Sequence, residues 1–343
     1  MHAPDTPLVC ICVPTYNAET TIAQTLRSIL AQTYRHIVVH VVDNCSTDGT
    51  LVVVKGFTDP RITVHENPDN IGGEGNFNRC IALAQGEFTA LFHADDVYEP
   101  EMVEQQVAFF QRYPAAGGVF TQARLIDQTG TVIGALDLPA SLRDTAPLYS
   151  FEQIFKAVLE HSNFMICPSF MARTHIYQQE IGRWRGELFR SSADLDVWLR
   201  VLERHPCGIL PDHLMSYRIS RLQWSAAVRD NTERADFFLV IDHYLEKPEV
   251  RAVLDESDLR NVERLERRDR AMRAVNALIA GDLEHARTLS SGLFSPEGIT
   301  NAFQSRRDLL TVVLGTLVSL AVALRASDIA RPLLRHFKSS FNR

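Results

Sequence analysis

Several things are scarce in this sequence, and each shortage removes a class of function. The 343 residues include only six cysteines, at 10, 12, 45, 80, 167 and 207, and no two of them form a CxxC unit. A zinc site built from paired CxxC units is therefore excluded, and no disulfide framework is indicated. The thiols are expected to be free and buried, as in a reducing compartment. Excess positive charge is also missing. Lys and Arg number 35 against 42 Asp and Glu, for a formal net charge of −7, which argues against non-specific nucleic-acid binding. No histidine stands in triad-like spacing with a Gly-flanked nucleophile, so serine hydrolase chemistry has no support. Residues 1–7 show neither the basic segment nor the apolar run of a secretory signal, and the protein is expected to face the cytosol. The uncharged stretch Leu309–Leu324 holds 16 residues. As a helix it spans about 24 Å, short of the roughly 30 Å hydrocarbon core of a bilayer.

What is present is ordinary globular material, with 45% hydrophobic and 22% charged residues. In the first half, strand and helix patterns alternate. Leu8–Val13, Ile37–Val42, Arg61–His65 and Phe88–Phe92 are short apolar runs rich in β-branched residues and read as strands. Ile22, Leu26, Ile29 and Leu30 recur on one helical face, and Asn76–Ala84 reads as a second helix capped by Gly86. This alternation predicts an α/β fold with a mostly parallel sheet flanked by helices. Further strands are expected at Gly118–Ile126, Ile166–Ala172 and Leu214–Ile219, a surface loop over 139–147, and a helix near 193–205. From about Asn231 onward only helices are expected, with a helical hairpin turning at Gly281-Asp282. The acid-before-base pairs Glu256–Arg260, Glu263–Arg267, Glu266–Arg270 and Asp269–Arg273 fit a solvated helix face.

In such sheets ligands bind beyond the carboxyl ends of the strands. The polar clusters of this sequence fall at those ends: Thr15-Tyr16-Asn17 after the first strand, Asp43 after the second, Asp95-Asp96 after a later one. Acceptors and carboxylates from separate strands would thus meet on one rim.

These segments resemble glycosyltransferase family 2, whose members are inverting enzymes of the A-type glycosyltransferase (GT-A) fold. The resemblance runs over roughly residues 7–222. It rests on Val13-Pro14-Thr15-Tyr16-Asn17, Val42-Asp43-Asn44 through Thr50, Asn70-Ile71-Gly72-Gly73 with Asn76 and Asn78, Asp95-Asp96 before Pro100, Asp194-Leu195-Asp196-Val197-Trp198-Leu199-Arg200, and Tyr217-Arg218. It implies a GT-A catalytic domain over 1–225, with a nucleotide-sugar half at about 7–115 and an acceptor half at about 116–225. An all-helical C-terminal extension would occupy 226–343. The implied reaction is sugar transfer from a nucleotide-diphospho-sugar, UDP first among candidates, to a hydroxyl of a saccharide or lipid-linked saccharide.

The resemblance also implies roles. Pro14, Thr15, Tyr16 and Asn17 would pack on the base and ribose, and Asp43 would accept a hydrogen bond from the base. Asn76, Asn78 and Asp95 would approach ribose or phosphates. Asp95 and Asp96 would hold magnesium or manganese, which prefer oxygen ligands. Asp194 would be the general base that takes the acceptor proton. Asp196 reads as a helix cap and Trp198 as core.

Three positions depart from the family pattern. His93 stands where a third Asp is common, and could bind manganese or, as preferred here, hydrogen-bond the next loop. Ala193 replaces an acid, and Ser220 replaces a His whose part Arg221, His213 or Arg218 could take. A degenerate scaffold is the alternative to an active enzyme, and a nucleotidyltransferase is disfavoured by the Pro-Thr-Tyr-Asn loop. Leu309–Leu324, followed by Arg325, Arg331, Arg335, Lys338 and Arg343, reads equally as a buried helix or as one lying on a membrane surface. Homo-oligomerisation is compatible with the sequence.

Overall fold

The computed structural model describes residues 6–143, 147–219, 230–293, 305–324 and 326–341. Ser220, Arg221, Arg325, Arg343 and part of the 139–147 loop lie outside the described residues. Two compact units are present: Met1–Ala157 with Asn163–Ser220, and Val158–Ser162 with Arg221–Arg343.

The first unit is built on one ten-stranded sheet. Its strands are β1 (Val9–Thr15), β2 (Ile37–Asp43), β3 (Ile62–Glu66), β4 (Phe88–Leu91), β5 (Val97–Tyr98), β6 (Gly118–Ile126), β7 (Val132–Leu136), β8 (Leu148–Tyr149), β9 (Met171–Arg173) and β10 (Cys207–Arg218). They lie in the order β3-β2-β1-β4-β9-β6-β10-β5, with β7 on β6 and β8 on β10. Strands β1 to β4, β6 and β10 run one way and the four short strands β5, β7, β8 and β9 run against them. The mostly parallel sheet is present, with β9 inserted antiparallel at its centre.

Sequence explains the order of burial. β1 reads VCICVPT and is buried on both faces except at Pro14, as a strand covered by helices on both sides must be. β3, at the sheet edge, is only half-buried. Ile22, Leu26 and Ile29 of helix Ile22–Leu30 are all fully buried, at the spacing that puts them on one stripe. With Met102, Val103, Val107 and Phe110 they join the strands in a single core. Each such side chain contributes about 1.5–3 kcal/mol by leaving water.

The helix expected at Asn76–Ala84 starts earlier and spans Gly72–Leu83. Gly86 is not its cap. The helix ends at Ala84 in extended backbone, and Gly86 turns the chain into β4 with φ +83°, where a Cβ would stand 2.5 Å from the Leu8 carbonyl oxygen. Only glycine fits that approach.

Among its described residues the second unit is helical beyond residue 230. Helix Glu256–Ala280 starts with a capping box formed by Asp255 and Asp258 and stops at Gly281 in left-handed conformation. Asp282 then caps helix Leu283–Ser290 through the His285 N–H, which makes the expected hairpin. Ala274, Val275, Leu278 and Leu289 pack with Leu314, Val318 and Ala321 of helix Arg306–Ala323. Gly315 lets that helix approach closely, since a Cβ there would meet Leu293 at 2.8 Å. Three of the four expected ion pairs form. The fourth does not: Glu266 instead pairs with Arg234, and Arg270 donates to the Ser291 carbonyl. Among the described residues no helix is long and apolar enough to cross a membrane.

Candidate active site

The carboxyl ends of β1, β2 and β4 lie side by side, because Thr15 pairs with Asp43 and Cys12 with Leu91. Two loops leave this rim and interlock. Asn17 takes a left-handed backbone with φ +48°, which asparagine tolerates better than most residues. Its N–H donates to Ser46 Oγ and its Oδ1 accepts from the Thr47 N–H. The Glu19 N–H donates to Asp48, and Glu19 Oε2 accepts from the Gly49 N–H. Asp43 is 1% exposed, and its carboxylate accepts from the N–H and the hydroxyl of Ser46 at 2.9 and 2.5 Å. Asp43, expected to accept a hydrogen bond from a base, here holds the loop and is enclosed. Thr15 is buried as well, Pro14 is half-buried, and Tyr16 and Asn17 are exposed.

Four asparagines tie the ends of β2 and β3 to helix Gly72–Leu83. Asn44 donates to Asn70 and Gly72, Asn67 donates to Asn44 and Asn76, and Asn76 donates to the Val42 carbonyl. Asn76 is 3% exposed, so its expected contact with a ligand gives way to a scaffold role. Arg79 turns to Asn67. Asn78 differs: its Oδ1 accepts from the Trp184 N–H, while its buried Nδ2 has no partner.

The loop after β4 carries His93, Asp95 and Asp96, whose ligand-type atoms all lie within 4.8 Å of one another. It is fastened from two sides. Thr25 donates to the carbonyls of Ala94 and Asp96, and Arg218 donates from its backbone N–H to Asp96 Oδ1 and from Nε to the Asp95 carbonyl. The rest of the Arg218 guanidinium goes to Asp127, Gln128 and Gln24. Arg218 is thus a strut for the loop, and His213 pairs with Asp137; neither stands in for the missing histidine.

Asp96 is fully buried and its Oδ2 has no hydrogen-bond partner. Burial first, then the neighbouring Asp95 charge, push its carboxyl far above the usual range. A buried carboxylate oxygen without a partner is costly unless a cation compensates it. The preferred reading of His93 as a partner of the next loop is corrected too. Its Nδ1 lies 3.9 Å from Asp96 Oδ2, and its Nε2 is buried and unpartnered. A histidine with two carboxylates is a donor set suited to manganese or a related divalent ion.

Asp194 occupies the first turn of helix Ala193–Leu202. Burial raises its carboxyl to about 6, against which the Leu195 N–H and its own N–H pull down. The Cys167 thiol is held up by burial, then by the charges of Asp194 and of Asp96. One side chain therefore lies within electrostatic reach of both carboxylates. Asp196 is not a cap. It is fully buried and accepts from Arg185 and Arg200 together, with both Nε atoms at 3.0 Å. Arg200 also donates to the carbonyls of Ile181 and Arg183, so this hub fixes the 181–185 turn beside the helix. Trp198 is 1% exposed and packs edge-on against Phe120, as core.

Trp184 belongs to the same neighbourhood and was not singled out by sequence. It is 5% exposed, stacks on Phe77 at 4.6 Å, and has an unpartnered indole N–H. Phe77 in turn meets the His93 ring edge-on at 5.8 Å. The available signal was a tryptophan off any helical period in the basic run Arg183-Trp184-Arg185, just ahead of Asp194.

The family model described as glycosyl transferase family 2 matches residues 10–179. The putative teichuronic acid biosynthesis glycosyltransferase TuaG of Bacillus subtilis (strain 168) is 29% identical over 230 residues, 64% of this chain and 84% of that protein. Among solved structures, S. aureus TarS 1-349 in complex with UDP-GlcNAc superposes with a TM-score of 0.60 at 17% identity, covering 92% of each chain. The mannosyltransferase PcManGT from Pyrobaculum calidifontis, in complex with GDP-Man and Mn2+, gives 0.54 at 19% identity over 93% of this chain and 89% of its own.

Proposed function

The chain belongs to glycosyltransferase family 2 and has the GT-A fold; from that premise we propose that it transfers a sugar, with inversion, from a UDP-sugar to a saccharide hydroxyl. The observation that carries this reading is the orphaned Oδ2 of buried Asp96, grouped with His93 and Asp95.

His93, Asp95 and Asp96 would hold a divalent ion, magnesium or manganese. When bound, the ion supplies positive charge against the diphosphate leaving group. The interlocked loops carrying Thr15–Asn17 and Ser46–Asp48 present Tyr16 and Asn17 to base and ribose, with Asp43 holding that surface in place. Asn78 and Trp184 offer buried N–H donors to sugar hydroxyls. Asp194 takes the acceptor proton: raised to about 6, it is ionised at neutral pH yet more basic than an ordinary carboxylate, which suits a general base. The acceptor we propose is a growing glycan, free or lipid-linked, met at the cytosolic face of a membrane. The involvement of TuaG in teichuronic acid biosynthesis, as its name states, supports a polysaccharide product.

Calorimetric titration with UDP, with and without manganese, tests the donor side. Metal-dependent binding is expected, and Asp95→Ala should weaken it about 10- to 100-fold. Equal binding with and without metal would remove the proposed role of the His93 cluster. A screen of nucleotide-sugars for hydrolysis or transfer then identifies the donor, and no turnover with any of them would favour a scaffold.

A further inference from the structure

Helix Arg306–Ala323 is apolar on two faces, and among the described residues only one of them is packed. Leu314, Gly315, Val318 and Ala321 pack into the second unit's core. On the other side Leu309, Val313, Leu317 and Leu320 are 43–51% exposed, and Leu324 just past the end is 73% exposed. Their spacing of four, four, three and four residues keeps them on one continuous stripe. The next helix, Ser327–Phe341, repeats the pattern in short form, with Ile329 72% and Leu333 61% exposed. Isolated exposed leucines need no explanation, whereas a contiguous stripe of this length marks an interaction surface.

We propose that this stripe docks on the surface of an anionic lipid membrane, with the helices lying in the interface plane. Charge separates this occupant from the others. From residue 306 to 343 there are seven Arg and Lys residues against Asp308 and Asp328, in a chain whose formal net charge is −7. Arg331 and Lys338 turn to the Leu278 carbonyl and to Asp230, whereas Arg307 and Arg335, both exposed, adjoin the two ends of the apolar pattern. A two-fold partner made of a second copy would set the same basic segment against itself. An anionic bilayer attracts it, by about 1 kcal/mol for each basic side chain near the surface. The length agrees as well. At 18 residues the first helix is about 27 Å long, too short to span, and with one apolar face already packed on protein it is suited to lying flat with its exposed stripe a few ångströms into the acyl boundary. The inference deepens the proposed function, since a lipid-linked acceptor would be met on that surface, but the contact is scored without any substrate.

The test is flotation of the full chain with phosphatidylcholine vesicles, with and without phosphatidylglycerol. Binding is expected only with the anionic lipid, falling as salt is raised. The double variant Leu317→Glu/Leu320→Glu should bind about tenfold or more weakly, with unchanged circular dichroism and unchanged UDP binding. No flotation of the wild-type chain would overturn the proposal, as would equal flotation of the variant. A concentration-dependent dimer that the same variant abolishes would give the stripe to a second copy and overturn it too. Failure here leaves metal-dependent UDP binding untouched, and loss of that binding leaves flotation untouched.

Discussion

At the scale of single residues, the proposed base Asp194 ties the chemistry we propose to stability. Its carboxyl ionises less readily folded than unfolded, with a value of about 6 against 3.8. The native state therefore keeps the proton longer as pH rises. Its contribution is most favourable below the ordinary carboxylate range and is lost as pH climbs through about 6. A full shift of that size corresponds to roughly 3 kcal/mol, and partial exposure reduces it to about 1–2 kcal/mol. Asp194→Asn should accordingly unfold at higher urea concentration than the wild type at pH 8, with no difference near pH 4. The same variant should lower kcat by about 10²- to 10⁴-fold while leaving UDP binding unchanged, and the wild-type acidic limb of kcat/KM near pH 6 should disappear. Retained turnover would refute the base assignment. The placement of Asp194 in the first turn of a helix could be read from sequence because its motif is local. Trp184 could not, since its meaning comes from Phe77 and Asn78, more than a hundred residues earlier. Asp196 was misread for a related reason: an acid in a first turn resembles a cap, and only the folded chain brings Arg185 and Arg200 onto it.

At the scale of elements, helix Ala193–Leu202 is positioned by that hub more than by capping, since Ser192 makes no side-chain cap bond. Removing the Asp196 carboxylate leaves two guanidinium groups facing a buried gap. Asp196→Ala should therefore cost about 3–5 kcal/mol in urea unfolding, whereas Arg185→Lys, which keeps charge but loses the fork, should cost less. An equal and small loss in both would show that the pairs carry little net stability. The long periodic elements were legible: β1, β2, β6 and helix Ile22–Leu30 announce themselves by apolar runs or stripes. The short antiparallel strands β5, β7 and β8 were not, because two to five residues carry too little pattern. Strand β9 was placed early, since Cys167–Ser169, expected to open it, instead forms a 3-10 turn ahead of it. Register with β4 and β6, a long-range property, decides where that strand begins.

At the scale of the whole molecule, the three tryptophans offer a selective probe. They stand at 184, 198 and 224; Trp184 and Trp198 are buried in the unit that carries the candidate site, whereas Trp224 falls in the other, so the fluorescence of Trp224→Phe reports on the first unit alone. UDP with manganese at a hundredfold excess over Kd should add about 2.7 kcal/mol to the stability seen by this signal, and EDTA should cancel the gain. No change in the fluorescence-detected Tm would argue that the cluster at 93–96 does not take the ion with the nucleotide. The family and its fold were legible from ordered motifs spread over two thirds of the chain. The C-terminal helices were legible only as helices, because their apolar residues serve two faces and composition alone cannot say which one is covered.

The interlocked loops have a consequence for how this enzyme can diversify. Asn17 and Glu19 complete their hydrogen bonds only with Ser46, Thr47, Asp48 and Gly49. A chimera importing one segment from a cousin would strand donors and acceptors of the other. Residues 15–19 and 43–50 should therefore tolerate exchange only as a pair: a chimera importing both is expected to unfold at higher urea concentration than one importing either alone.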